Sequence, residues 1–434
     1  MHANLSLQQA PPFSVPARFL VSAPVFGLLA ALVLLWHGPD IISSRWNPPM
    51  LAVTHLLTLG FLAMSMLGAM LQLMPVLMGM VIPRPVLFSS IIHTPLVLGS
   101  LSLAAAWLLQ YRWLFLVAML LLGFTFAVFV MVAAERLLRS VSRHITRTMM
   151  LLALLALLLT AGLGIYLAAG YVGETFAVAR QLTDLHLSWG LLGWVFMLVM
   201  AVAYQVIPMF QITDDYPKWH QRWLGWLLFV LLLALSLTWF YPLAGLQALL
   251  GVLLAACLLV FALNTLWLLH RRRRTLPDTT MKFWQLAMAS LIALVFIRGI
   301  AMLAGIELPA LLTGVLMIAG FAMTAVNGMM YKIIPFLIWL HLSARNKDLR
   351  DAGRREQQVK VPHMRKIIPE NAGLWQFRIH FAALVLLALA TCWPAWFFYP
   401  AVLLFALAQG FLLYNLLNAV RFYGAKRTAL QAVL

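Results

Sequence analysis

Ionisable side chains are scarce inside the apolar runs of this sequence, and most of those present are imidazoles. His55, His93, His186 and His380 lie within such runs, His37 ends one, Arg298 lies late in another, and Glu307 stands at the mouth of a third. A titratable group in lipid is costly, so each is a candidate for chemistry. Imidazoles on facing helices can hold haem iron or copper through a ring nitrogen. An arginine at the same depth can hold an anionic group such as a propionate. The competing role for each imidazole is structural, donating a ring N–H to a backbone carbonyl of a neighbouring helix. Arg298 could equally reach toward the headgroups or pair with Glu307.

His55 lies 20 residues before Pro75, and His186 lies 22 residues before Pro208. At about 1.5 Å per residue, each imidazole stands roughly 30 Å from the proline end of its run, near the other membrane face. His37 and Arg298 fall at that same level. His55 and His186 are therefore the leading ligand candidates and Arg298 an anion holder, with His37, His93 and Glu307 as secondary sites. Lys332, Gln72 and Gln205 sit near the opposite ends of their runs, where they could admit protons or cap helices. The 23 methionines are scattered at helical spacings and suit packing better than copper binding. No phosphate loop, nucleophile elbow or zinc-protease spacing is present.

The elements that must carry these residues are membrane helices. Of the 434 residues, 64% are hydrophobic and 10% charged, against about 25% charged in soluble domains. Apolar runs of membrane-spanning length repeat along the chain. They are too long and too uniform for barrel strands, so the fold class is all-α integral membrane. Twelve spans are expected, over about 19–37, 50–75, 86–109, 113–134, 149–170, 184–208, 223–242, 246–269, 283–305, 308–336, 379–396 and 398–420, forming a single transmembrane domain. The first run follows a polar, proline-containing leader and reads as a span, not a cleaved signal. Cys257 and Cys392 both lie in apolar runs and give no disulfide framework.

Every second connection is basic. Arg136, Arg139, Arg143 and Arg147 follow span 4, the run His270 to Arg274 follows span 8, and a basic loop over 341–374 follows span 10. The intervening connections carry Asp40 and Arg45, then Arg112, then Glu174 and Arg180, then Glu307. The positive-inside rule then places both termini in the cytoplasm of a bacterial-type inner membrane. It also explains the net charge of +18 without nucleic acid, since the basic residues lie in short loops. The His270–Arg274 run reads as an orientation signal touching anionic lipid.

Spans 2, 6 and 10 close alike: "GAMLQLMP" to Pro75, "AVAYQVIP" to Pro208 and "NGMMYKIIP" to Pro335. These endings are four spans apart. They suggest three four-helix blocks and a pseudo-threefold bundle.

Span 2, with His55, then Gly68-Ala69, then Leu73-Met74-Pro75, resembles the haem–copper oxidase superfamily, subunit I. The nearest-looking branch is the nitric oxide reductase large subunit. The resemblance implies that His55 ligates a low-spin b-type haem and that His186 stands near the family's copper-ligand position. It further implies respiratory or nitrogen-oxide metabolism, with a respiratory electron donor or an oxidase subunit as partner. The family's other ligands are missing. Thr313 and Val315 occupy the positions of its span 10 histidine pair, and span 7 has no histidine pair. The expected protein is thus an oxidase relative that keeps haem b or copper near the periplasmic face without the full bimetallic reductase site. A cofactor-free twelve-helix transporter and a structural or sensory membrane protein are the alternatives.

Overall fold

The computed structural model describes residues 9–140, 145–173, 180–241, 243–276 and 278–431; Arg143 and Glu174 fall outside them. Among the described residues there are helices and no strands, and twelve helices are long and apolar enough to cross a membrane. Spans of this kind contact the lipid bilayer directly. The protein is a multi-pass membrane protein.

Span 1 is Ser14–His37, span 3 Pro85–Leu109, span 4 Arg112–Leu138 and span 5 Ile145–Val172. Span 7 is Lys218–Leu237, span 8 Ala244–His270, span 9 Thr279–Ala304, span 11 Glu370–Ala390 and span 12 Pro394–Gln431. Phe13, just before span 1, packs on Tyr423 late in span 12 with ring centroids 4.4 Å apart. The two chain ends therefore share one side of the bundle, called here the near side, opposite a far side.

Among the described residues, spans 2, 6 and 10 share a construction that the others lack. Each starts as an α-helix at the far side, widens into a π segment, and returns to α-helix. The π segments are Leu56–Ala63, Trp189–Phe196 and Val315–Met323, preceded by Pro48–His55, Arg180–Ser188 and Ala310–Gly314. The α-helices that follow are Met64–Met78, Met197–Gln211 and Thr324–Asp351. These three spans are the most buried of the twelve. The π segments of spans 2 and 6 both touch that of span 10, with Phe196 against Phe321 at 5.6 Å between ring centroids.

Each π segment also places a glycine 15 residues before its proline, namely Gly60, Gly193 and Gly320. A Cβ on Gly60 would collide with Phe26 of span 1. On Gly193 it would stand 2.8 Å from Ala156 of span 5, and on Gly320 2.8 Å from Ser290 of span 9. The missing side chain is what allows each inner helix to press this closely on an outer one.

The expected bounds move most at spans 10, 11 and 12, the last covering Pro394–Gln431 against an expected 398–420. Span 11 was expected over 379–396, yet it begins at Glu370 and ends at Ala390, with the turn before Pro394. Proline suits a first helical position, and the apolar stretch on either side hides the break from hydropathy. The early polar residues of span 11 belong to the helix because neighbours use them, Glu370 accepting a hydrogen bond from Thr279 Oγ1 at 2.6 Å. The 341–374 connection is partly helical, since span 10 runs on to Asp351 and short turns cover Arg355–Gln357 and Met364–Ile367.

Candidate functional site

His55 is the last residue before the π segment of span 2, and His186 lies three residues before that of span 6. The two helices bring the imidazoles together at the far side, with ring centroids 6.4 Å apart and planes inclined by 28°. His55 Nδ1 lies 2.7 Å from the carbonyl of Leu51, one turn back on its own helix. His186 Nδ1 lies 3.0 Å from the carbonyl of Thr160 on span 5. A carbonyl only accepts, so each Nδ1 carries the proton and each Nε2 presents a lone pair. Among the described residues neither Nε2 has a hydrogen-bond partner. This is how a protein commonly fixes a ligating histidine, with one nitrogen anchored and the other free.

Span 5 cradles His186 as well as anchoring it. A Cβ on Gly164, one turn beyond Thr160, would stand 2.9 Å from His186 Cε1, so the ring needs a glycine there. At the far mouth, Arg45 Nη1 donates to Asp184 Oδ1 at 2.7 Å. That ion pair ties the loop before span 2 to span 6, two residues from His186. In the sequence Arg45 is only a loop charge, because its partner is 139 residues away.

The other candidates are not gathered with the pair. Arg298 and Glu307 are exposed, and among the described residues they form no ion pair with each other. His37 is exposed at the far end of span 1. His93 belongs to the near half of span 3, where its Nε2 lies 2.9 Å from Ser22 Oγ and its ring packs edge-on to Phe19. His380 is buried in span 11 with Nε2 2.7 Å from Thr324 Oγ1. Among the described residues, no three His, Cys, Asp or Glu side chains group as metal ligands.

A second polar feature lies at the near side. Lys332 Nζ is 2.6 Å from Asp278 Oδ2, and both side chains are largely buried. Asp278 caps span 9 by accepting from the Thr280 N–H at 3.0 Å, and it also accepts from Gln211 Nε2 at 3.1 Å. Burial alone would raise the Asp278 carboxyl's pKa. The Lys332 ammonium, the hydrogen bonds from Lys332 and Gln211, and Arg274 outweigh it and hold the carboxyl below its ordinary value. Lys332 thus serves in a buried ion pair and not as a helix cap. Its partner sits in the connection before span 9, which sequence spacing does not reveal.

Neither a search of protein-family models nor a search of curated proteins finds a match to this chain.

Proposed function

We propose that this protein is a haem–copper-oxidase-like membrane protein that holds one b-type haem between His55 and His186 near its far face, without the family's full bimetallic site. The paired imidazoles carry this reading: two histidines on different helices, each anchored through Nδ1, with rings 6.4 Å apart. Two imidazoles on one metal ion, each nitrogen about 2.0–2.1 Å from it, require ring centroids about 6 Å apart. The donor set favours haem over bare copper. Two imidazoles alone are few side-chain ligands for a copper ion, whereas a porphyrin would supply four nitrogens of its own, with His55 and His186 holding the iron.

A haem held by His55 and His186 would supply one-electron redox chemistry there. His55 and His186 would set its position, Leu51 and Thr160 would hold their tautomers, and Gly164 would leave room for the second ring. The recurring π segments, glycines and prolines of spans 2, 6 and 10 support three four-helix blocks around a pseudo-threefold axis. Basic connections on the near side support cytoplasmic termini in a bacterial-type inner membrane. A respiratory electron donor or an oxidase subunit would then approach from the periplasmic face.

The test is an optical spectrum of the purified full-length protein, oxidised and dithionite-reduced, with metal analysis. The expected result is a Soret band that shifts on reduction, with iron near one per chain. Protein from cells supplied with both iron and copper that shows no Soret band and no copper would sink the redox reading and leave a transporter as the better one.

A further inference from the structure

The near-side ion pair opens onto a cavity of about 60 Å³ whose lining includes Asp278, Thr279, Tyr331, Lys332, Glu370 and Gly373. Above it, polar residues continue on the facing sides of spans 10 and 11. Tyr331 Oη accepts from Asn415 Nδ2 of span 12 at 2.9 Å. One turn further along span 10, Asn327 is fully buried and neither atom of its amide has a partner. On span 11, Gln376 is fully buried, donating from Nε2 to the Ala408 carbonyl at 3.3 Å with Oε1 unpartnered. Glu370, Gly373, Gln376 and His380 recur at helical spacing on one face. Lys332 to Thr324 is eight residues, about 12 Å of helix rise.

The stripe ends at His380, and the hydrogen bonds there settle which ring nitrogen is the base. Thr324 Oγ1 donates to the Ala319 carbonyl at 2.8 Å, so toward His380 it can only accept. His380 Nε2 therefore carries the proton and donates to Thr324 at 2.7 Å. Nδ1 is left with a lone pair, buried and unpartnered. Among the described residues His380 has no ion pair; its ring neighbour from span 9 is Phe283. Phe283 is fully buried, 6.1 Å from the Tyr331 ring and 6.1 Å from the His380 ring. An apolar ring thus stands between the polar steps.

We propose that the near-side cavity and the stripe above it form a proton entry path that ends at His380 Nδ1 and is gated by Phe283. A proton from near-side water passes the Lys332–Asp278 pair and Tyr331, then water held by the Asn327 and Gln376 amides, and adds to Nδ1 while Nε2–H stays donated to Thr324. Buried polar atoms without protein partners are normally served by water, and the register that pairs Thr324 with His380 and puts Tyr331 and Gly373 in the cavity wall gives Asn327 and Gln376 intermediate positions on their helices. The path is independent of whether the far-side pair holds haem.

Exchange of the histidine C2 hydrogen in heavy water, followed residue by residue by mass spectrometry on the full-length protein, tests this. The exchange requires a protonated ring reached by water. His220 is the internal reference: it too is fully buried with one ring nitrogen, Nε2, unpartnered, but it lies off the stripe beside Tyr204. His380 should exchange at least tenfold faster than His220. Asn327→Leu should slow His380 several-fold and Phe283→Leu should speed it, with His220 unchanged in both. Exchange at His380 as slow as at His220, or indifferent to both substitutions, would overturn the path.

Discussion

Replacing His55 with alanine should strip the proposed haem from the purified protein, and His186→Ala should do the same. Loss of an outer group that merely orients a ligand already costs about 10–100-fold in metal affinity. Loss of a residue that would hold the iron should exceed that, so occupancy per chain should fall below detection by Soret absorbance and pyridine haemochrome assay. The imidazoles cannot substitute for one another, because each Nδ1 is held by a different carbonyl, that of Leu51 or that of Thr160. His93→Ala is the matched control. Its ring bonds to Ser22 in the near half of the bundle, so the spectrum should not change. A haem that persists with an unaltered spectrum in His55→Ala would refute the assignment.

Lys332→Met should produce the largest loss of stability of any single substitution at the near side. It leaves the Asp278 carboxylate, whose side chain is 3% exposed, without its 2.6 Å partner. Breaking a buried pair from one side costs about 3–5 kcal/mol, because the remaining charge is stranded. Arg274 stays within 3.8 Å of the same oxygen, so the lower part of that range is expected. Lys332→Met combined with Asp278→Asn removes both charges and should recover most of the loss. Thermal unfolding midpoints in one detergent would measure this; a double variant no more stable than Lys332→Met would show that the pair is not the cause. The pH dependence has a definite sign. The Asp278 pKa is depressed in the fold, so its contribution is complete above the ordinary carboxyl value of about 4. It is lost as pH falls through the lower folded value. Wild type should weaken in that acid window more than the double variant does.

The spans and the histidine pair were legible in sequence for a simple reason. Lipid tolerates so few polar groups that an imidazole in an apolar run is conspicuous, and the prolines of spans 2 and 6 give a common origin from which depth can be counted. Direction was not legible. Depth alone put His37, Arg298, His55 and His186 at one level, yet only the last two face each other, because the helix surface a residue occupies depends on winding that composition does not record. The Lys332–Asp278 pair was hidden differently. Its members are 54 residues apart, one inside span 10 and one in a connection, and nothing local links them. Span 11 was misplaced because its first turns carry Glu370 and Arg378, which look like loop residues. In the fold Glu370 is bonded to Thr279, and the Arg378 guanidinium lies 4.9 Å from the Trp375 ring centroid, so the helix accommodates both.

The π segments bear on how the two ends of the molecule can change. A π turn takes up about one residue more than an α turn, and one residue on an α-helix corresponds to about 100° of rotation. The far ends of spans 2, 6 and 10 are therefore out of phase with the near ends they continue. The bearing of His55 and His186 is set above that phase break, while the glycine contacts that seat the inner helices lie within it and below it. Far-side side chains can thus be gained, lost or turned without disturbing the packing that the near half depends on. Imidazoles in the far ends of spans 2 and 6, with Thr313 and Val315 in the matching stretch of span 10, are compatible with that independence.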